Sequence, residues 1–226
     1  MAMTPRLRKF AIAVHVVVSV GWLGAVIAYL ALAVVGLTSQ DASVARACYR
    51  SMALIGPFVI IPFSLATLLT GLIEALGTRW DVFQHWWVVA KLLLTAVATV
   101  ILLRHMPAVI NMALVAADAT LSLDDYRAQR LQLIVHAIGG VLVLLTTTAL
   151  SIYKPWGLTP FARRNETERV SVLSNDMPWP AGIARVARPA VSASAPRWVL
   201  VVWIHAVGLG VLFVVMHLAG RGFRGH

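Results

Sequence analysis

Histidines supply most of the ionisable side chains inside the long apolar runs of this 226-residue chain: His15, His105, His136, His205 and His217, joined by Glu74 and Lys91. Imidazole can bind a metal through one ring nitrogen, serve as an axial ligand of haem iron, or pass a proton near neutral pH. A polar group held in hydrocarbon carries a desolvation cost, so each of these side chains implies a partner, a ligand or a wet cavity. Hydrogen bonding to a neighbouring helix is the structural alternative for every one of them. Glu74 and Lys91 flank one short connection, 77–85, and a salt bridge is their simplest reading. Lys91 can also snorkel to the interface or meet an acidic ligand group. His85 and His226 fall at an interface and at the terminus, where no special role is needed.

The elements that must position these groups are five continuous apolar stretches, 10–37, 53–76, 86–103, 131–153 and 198–218. A bilayer core of about 30 Å needs about 20 helical residues, so each stretch is long enough to cross, the third only just. The runs do not alternate apolar with polar residues, which excludes membrane strands. With 60% hydrophobic and 12% charged residues and a mean hydropathy of +0.83, the chain reads as all-α: a polytopic transmembrane helical bundle of four core helices plus a fifth, C-terminal one. A formal net charge of +10 suggests nucleic acid in a soluble chain. Here the basic residues sit in loops and tails, without stacking aromatics between them, so a lipid bilayer is the expected partner and nucleic acid is not. Cys48 is the sole cysteine, which excludes an internal disulfide and any multi-cysteine metal site.

The first stretch follows Arg6-Leu7-Arg8-Lys9 but, at 28 residues, is far longer than a signal-peptide core of about 7–15, so it reads as an uncleaved helix. Basic residues bias the topology. With the N-terminus inside, the inner segments hold 11 of them (Arg6, Arg8, Lys9, Arg79 and seven from Lys154 to Arg197). The outer segments hold 7: Arg46, Arg50, Arg104, Arg127, Arg130, Arg221 and Arg224. The N-terminus is expected in the cytoplasm, with Trp80, Trp86, Trp87, Trp156 and Trp198 as a belt on that side. Pro57 and Pro62 predict a kink or an unwound start in the second span. The third span can continue beyond the membrane, with Pro107 starting a short amphipathic helix over 108–121 on the outer side, and 121–130, with Asp124 and Asp125, reads as a solvated connection. Six of ten prolines fall in 155–196, a stretch unable to bury a core. The organisation is therefore a four-helix module over 1–154, a Pro/Ser/Ala-rich polar linker over 155–197, and a fifth helix with a basic tail over 198–226.

Helical spacing sorts the polar groups onto faces. His15, Ser19, Trp22 and Tyr29 lie close to one face of the first span, with Gly21, Gly24, Ala25 and Ala28 as small positions for close approach. Ser64, Thr67, Thr70, Gly71 and Glu74 form a seam on the second. Lys91, Thr95, Ala98, Leu102 and His105 align on the third, His136, Gly140, Val143 and Thr147 on the fourth. A glycine four residues after His136 leaves room for a flat macrocycle, or for ordinary packing. Alternating directions give an inner layer of His15, Glu74, Lys91 and His205, and an outer layer of Arg104, His105, His136 and His217. The pairing of imidazole with Lys or Arg suits b-type haem, whose propionates seek cations at the interface. Zinc or copper needs more donors in close reach, and no short His-x-x-x-His motif is present. A proton or ion path is the other use of such groups.

Particular residues carry a family likeness. The pattern His15…Gly21-Trp22-Leu23-Gly24, the run His85-Trp86-Trp87-Val88-Val89-Ala90-Lys91-Leu92-Leu93-Leu94 and the exit Tyr153-Lys154-Pro155-Trp156 resemble a superfamily of small bacterial four-helix membrane proteins. It includes the copper-resistance CopD domain, the HemJ-type protoporphyrinogen oxidase and a group of predicted integral membrane proteins without assigned activity. The likeness covers about residues 8–157. It implies haem b, with His15 and Lys91 at the positions of the histidine and lysine that matter in the HemJ-type enzymes.

The expected function is haem b binding in the bacterial inner membrane for electron transfer or porphyrin redox chemistry. The cofactor candidates are His15, Lys91, His205 and His136, and the metal-ligating candidates His15, His136, His205 and His217. No catalytic residue is singled out. Another membrane redox subunit and a second copy of the chain are the candidate protein partners. Transport or handling of copper or protons is the second class, and a non-catalytic membrane subunit the third.

Overall fold

The computed structural model describes residues 4–77 and 85–153, and every regular element in them is helical. Helix α1 (Pro5–Thr38) begins at an N-cap, Thr4, whose hydroxyl accepts from the Leu7 N–H, with Pro5 in the first turn where no N–H is needed. Helix α2 (Ala42–Ile55) is capped by Asp41, whose carboxylate accepts from Ser43 N–H at 2.8 Å. A π-helical turn, Gly56–Ile60, joins α2 to α3 (Ile61–Gly77). Helix α4 (Trp86–Ala117) is followed by a 3₁₀ turn, Leu123–Tyr126, and α5 (Arg127–Tyr153). Four segments are long and apolar enough to cross a membrane: Pro5–Thr38, Ala42–Leu76, Trp86–Ala117 and Leu123–Tyr153. The expected fifth helix, the linker, and His205 and His217 with them, lie outside the described residues.

The kink expected from Pro57 and Pro62 takes the form of the π turn, which absorbs the missing proline donors without ending the helical path. Gly56 sits in that turn beside Met106 of α4, whose sulfur would be 2.9 Å from a Cβ added there. The third span does continue outward, but as one helix and not as a separate one begun at Pro107. Helix α4 runs through it to Ala117, because Met106, Val109 and Met112 on either side of the proline are buried against the other helices. Packing on both flanks outweighs the one hydrogen bond that proline removes. Nor is 121–130 a plain solvated connection: Leu123 and Arg130 are both buried.

Helix α1 packs against α2, α3 and α5, and α4 against α2, α3 and α5. The core is drawn from Trp22, Val26, Tyr29 and Ala33 of α1, Tyr49 and Met52 of α2, Met106, Val109 and Met112 of α4, and Leu133, Ala137 and Leu144 of α5. It is concentrated away from the end at which α1 and α4 begin. On α4 every buried residue lies from Thr99 onward, and none lies between Trp86 and Ala98. The large aliphatic side chains left exposed along the helices, such as Val17, Val20, Leu69, Leu93 and Leu114, are the surface that hydrocarbon would cover.

Candidate functional site

Antiparallel packing of α1 on α3 assembles the first polar group. Phe63 lies where a Cβ on Gly21 would meet its ring at 3.0 Å, and His15 lies where a Cβ on Gly71 would meet its Cε1 at 3.2 Å. These two contacts set the register. His15 Nδ1 is 2.8 Å from Thr70 Oγ1, and the Thr67 carbonyl is close enough to interact with the ring. The same register brings Ser19 level with Thr67, one turn deeper. Lys91 of α4 acts electrostatically on both His15 and Glu74, and its Nζ stands 5.7 Å from the centre of the Trp87 ring. Glu74 and His15 thus both lie within electrostatic reach of Lys91. All three are half-buried, at the thinly packed end of the bundle. Ser19 Oγ, Thr67 Oγ1 and Glu74 Oε1 are buried without a hydrogen-bond partner among the described residues.

Toward the other end, His105 of α4 and His136 of α5 stack face to face, ring centres 3.9 Å apart and planes 5° from parallel. His105 is buried, and His136 Nδ1 lies 2.8 Å from the Gln132 carbonyl. Rings so arranged face each other, so they do not address an iron between them. The space beside Gly140 that the sequence suggested for a macrocycle is taken by Val26, whose Cγ1 would be 3.3 Å from an added Cβ. Gly24 and Ala28 are exposed, with open space beside Gly24. Among the described residues no group of three or more His, Cys, Asp or Glu side chains is placed to hold a metal ion. The metal roles expected of His205 and His217 lie outside the described residues.

Sequence reasoning missed Arg130 and Arg46. Arg130, 5% exposed, donates from Nε to the Tyr49 hydroxyl at 2.9 Å, from Nη2 to Gly36 O and Leu37 O at 2.9 and 3.1 Å, and from Nη1 to Leu123 O at 3.2 Å and Asp124 Oδ1 at 3.3 Å. It closes the C-terminus of α1. Arg46 does the same for α4, donating to Asp118 O at 2.5 Å and Leu121 O at 2.6 Å, with Val115 O and Ala116 O at 3.4 Å. Both satisfy terminal carbonyls that helices leave open, at the end where a cation is favoured. No signal in the sequence set Arg130 apart from Arg127, which opens the same helix. The two arginines belong to the architecture rather than to any chemistry.

The chain matches no protein-family model, no curated protein and no solved structure.

Proposed function

We propose that this is a multi-pass protein of the bacterial inner membrane, of the CopD/HemJ-like kind, that binds haem b at the end of the bundle holding His15, Lys91 and Glu74. The observation that carries the reading is that an imidazole on α1 and an ammonium on α4 lie within electrostatic reach of each other at the one end where α4 buries none of its side chains. The donor chemistry fits the group: His15 offers an axial ligand, and Lys91, close to the interface beside Trp87, offers a cation for a propionate. Haem held there would supply one-electron transfer. Glu74 balances the Lys91 charge and keeps that cation from standing alone in a low dielectric. Of the other candidates, His205 remains a second ligand to be tested, and His136 is left out because it stacks on His105. The N-terminus and the 155–197 linker face the cytoplasm in this reading.

An absorption spectrum of detergent-purified protein tests the proposal. A Soret band with α and β bands on reduction is expected, and His15→Ala should lower haem content or change the spin state. Colourless wild-type protein, or a His15→Ala protein with full haem content and an unchanged reduced spectrum, would refute it. One observation favours a second reading, proton handling: Ser19 Oγ, Thr67 Oγ1 and Glu74 Oε1 lie along the same α1–α3 seam with no partner to bond among the described residues. Water bridging such groups is a usual proton route. A colourless protein that carries protons across liposomes, and loses this with Glu74→Gln, would replace the haem reading with that one.

A further inference from the structure

The Thr70 hydroxyl has one proton, and it is committed: Oγ1 donates to Ala66 O at 2.7 Å, with Thr67 O at 3.3 Å. With that proton committed, the 2.8 Å contact with His15 Nδ1 has Nδ1–H donating and Oγ1 accepting. A neutral imidazole has a single N–H, so Nε2 keeps its lone pair. Gly71 completes the arrangement. A Cβ there would lie 3.2 Å from Cε1, 3.7 Å from Nδ1 and 4.0 Å from Nε2. A side chain there would press on the ring, and of the two ring nitrogens Nε2 is the farther from that Cβ position.

We propose that Thr70 and Gly71 are positioning residues that hold His15 in its Nδ1–H tautomer and so make Nε2 the atom that accepts a ligand. A histidine that ligates through one nitrogen commonly donates its other N–H to a fixed acceptor, which sets the tautomer, the ring orientation and the basicity of the ligating atom. A threonine that bonds back to its own helix is an acceptor with no rotational choice left. Thr70→Ser keeps the acceptor, Thr70→Val keeps the shape and removes it, and Gly71→Ala pushes the ring off α3 and so lengthens the Nδ1–Oγ1 hydrogen bond. The inference rests on the proposed role of His15, yet the tautomer is a property of the protein itself.

The test uses the full chain in lipid bilayers, labelled with ¹⁵N on histidine, with the His15 signals assigned by difference from His15→Gln. At a pH where His15 is neutral, wild type is expected to show a protonated Nδ1 and an unprotonated Nε2. Thr70→Val should shift the tautomer ratio about two- to tenfold toward Nε2–H, the range one net hydrogen bond supplies. Thr70→Ser should retain the wild-type ratio, and Gly71→Ala should move it the way Thr70→Val does. A wild-type proton on Nε2, or a ratio unmoved by Thr70→Val in a monodisperse, helical protein, would overturn the inference. Haem content, read separately from the absorption spectrum, decides the haem proposal alone: colourless protein with the Nδ1–H tautomer keeps this inference and discards that one.

Discussion

At the residue scale, the two ends of the bundle treat their charged groups differently. Arg130 is saturated by five acceptors, and its guanidinium also lies 5.7 Å from the centre of the Tyr49 ring. Its loss would leave the buried Tyr49 hydroxyl and the carbonyls of Gly36, Leu37 and Leu123 without that donor. Arg130→Met is expected to cost about 2–4 kcal/mol of stability, read as a lower melting temperature in detergent, with Arg130→Lys recovering part of it. Arg46→Ala should cost less, about 1 kcal/mol, because the carbonyls it serves are nearer to solvent. Gly36 gives a second check on the same corner. A Cβ there would lie 2.8 Å from the Tyr49 ring, and Tyr49 is 0% exposed and cannot retreat. Gly36→Ala is expected to destabilise by about 1–3 kcal/mol in the same melting experiment. In the sequence, Arg130 is one of seven basic residues assigned to outer segments, indistinguishable from Arg127 until the folded chain shows where each guanidinium goes.

At the element scale, the helices end where local chemistry can satisfy their free groups, and tertiary packing overrules the breakers between. Asp41 caps α2, and its carboxyl is held below the usual carboxylate range, first by the Ser43 hydroxyl and then by the Ser43 N–H. A depressed folded value means that this stabilisation is present above the unfolded pKa and lost as pH falls through the folded one. Asp41→Ala should therefore lower the melting temperature at neutral pH, and the difference from wild type should vanish in acid, where wild type has lost the charge too. Pro57 and Pro107 show the limit of reading breakers alone. One yields a π turn and the other is absorbed in a continuous helix, because the packing of the flanking turns decides how the chain accommodates a proline. The first agrees with the kink legible in the sequence, and the second departs from it.

At the scale of the whole molecule, the packed core is concentrated in one half of the bundle, and the His15–Lys91–Glu74 group lies in the other, where α4 buries nothing. Such a division suits a stable frame that presents a site at its less filled end. The proposed orientation makes this the cytoplasmic end, and it can be checked with exposed positions from both ends in a Cys48→Ala background. A membrane-impermeant thiol reagent added to intact cells should label Gln40→Cys and Ala119→Cys, in the loops after α1 and α4, and leave Thr4→Cys unlabelled until the cells are opened. The opposite pattern would invert the topology and with it the side from which the site is reached. Cys48 itself is buried, so its background signal should be low even before it is replaced.

Length and hydropathy of the runs were enough, without any structure, to determine four apolar helices: a run of that length must satisfy its own backbone hydrogen bonds once it leaves water. Helical spacing also determined which side chains share a face, so His15 with Ser19, and Thr67 and Thr70 with Glu74, were legible beforehand. Partners were not. Faces are one-helix properties, whereas the His15–Thr70 bond, the His105–His136 stack and the Arg130 clamp each need two helices at one rotation and one register. Those are set by the fit of Phe63 against Gly21, Val26 against Gly140 and Tyr49 against Gly36. Close packing between helices is a matter of ångströms, and no property of a single helix encodes it.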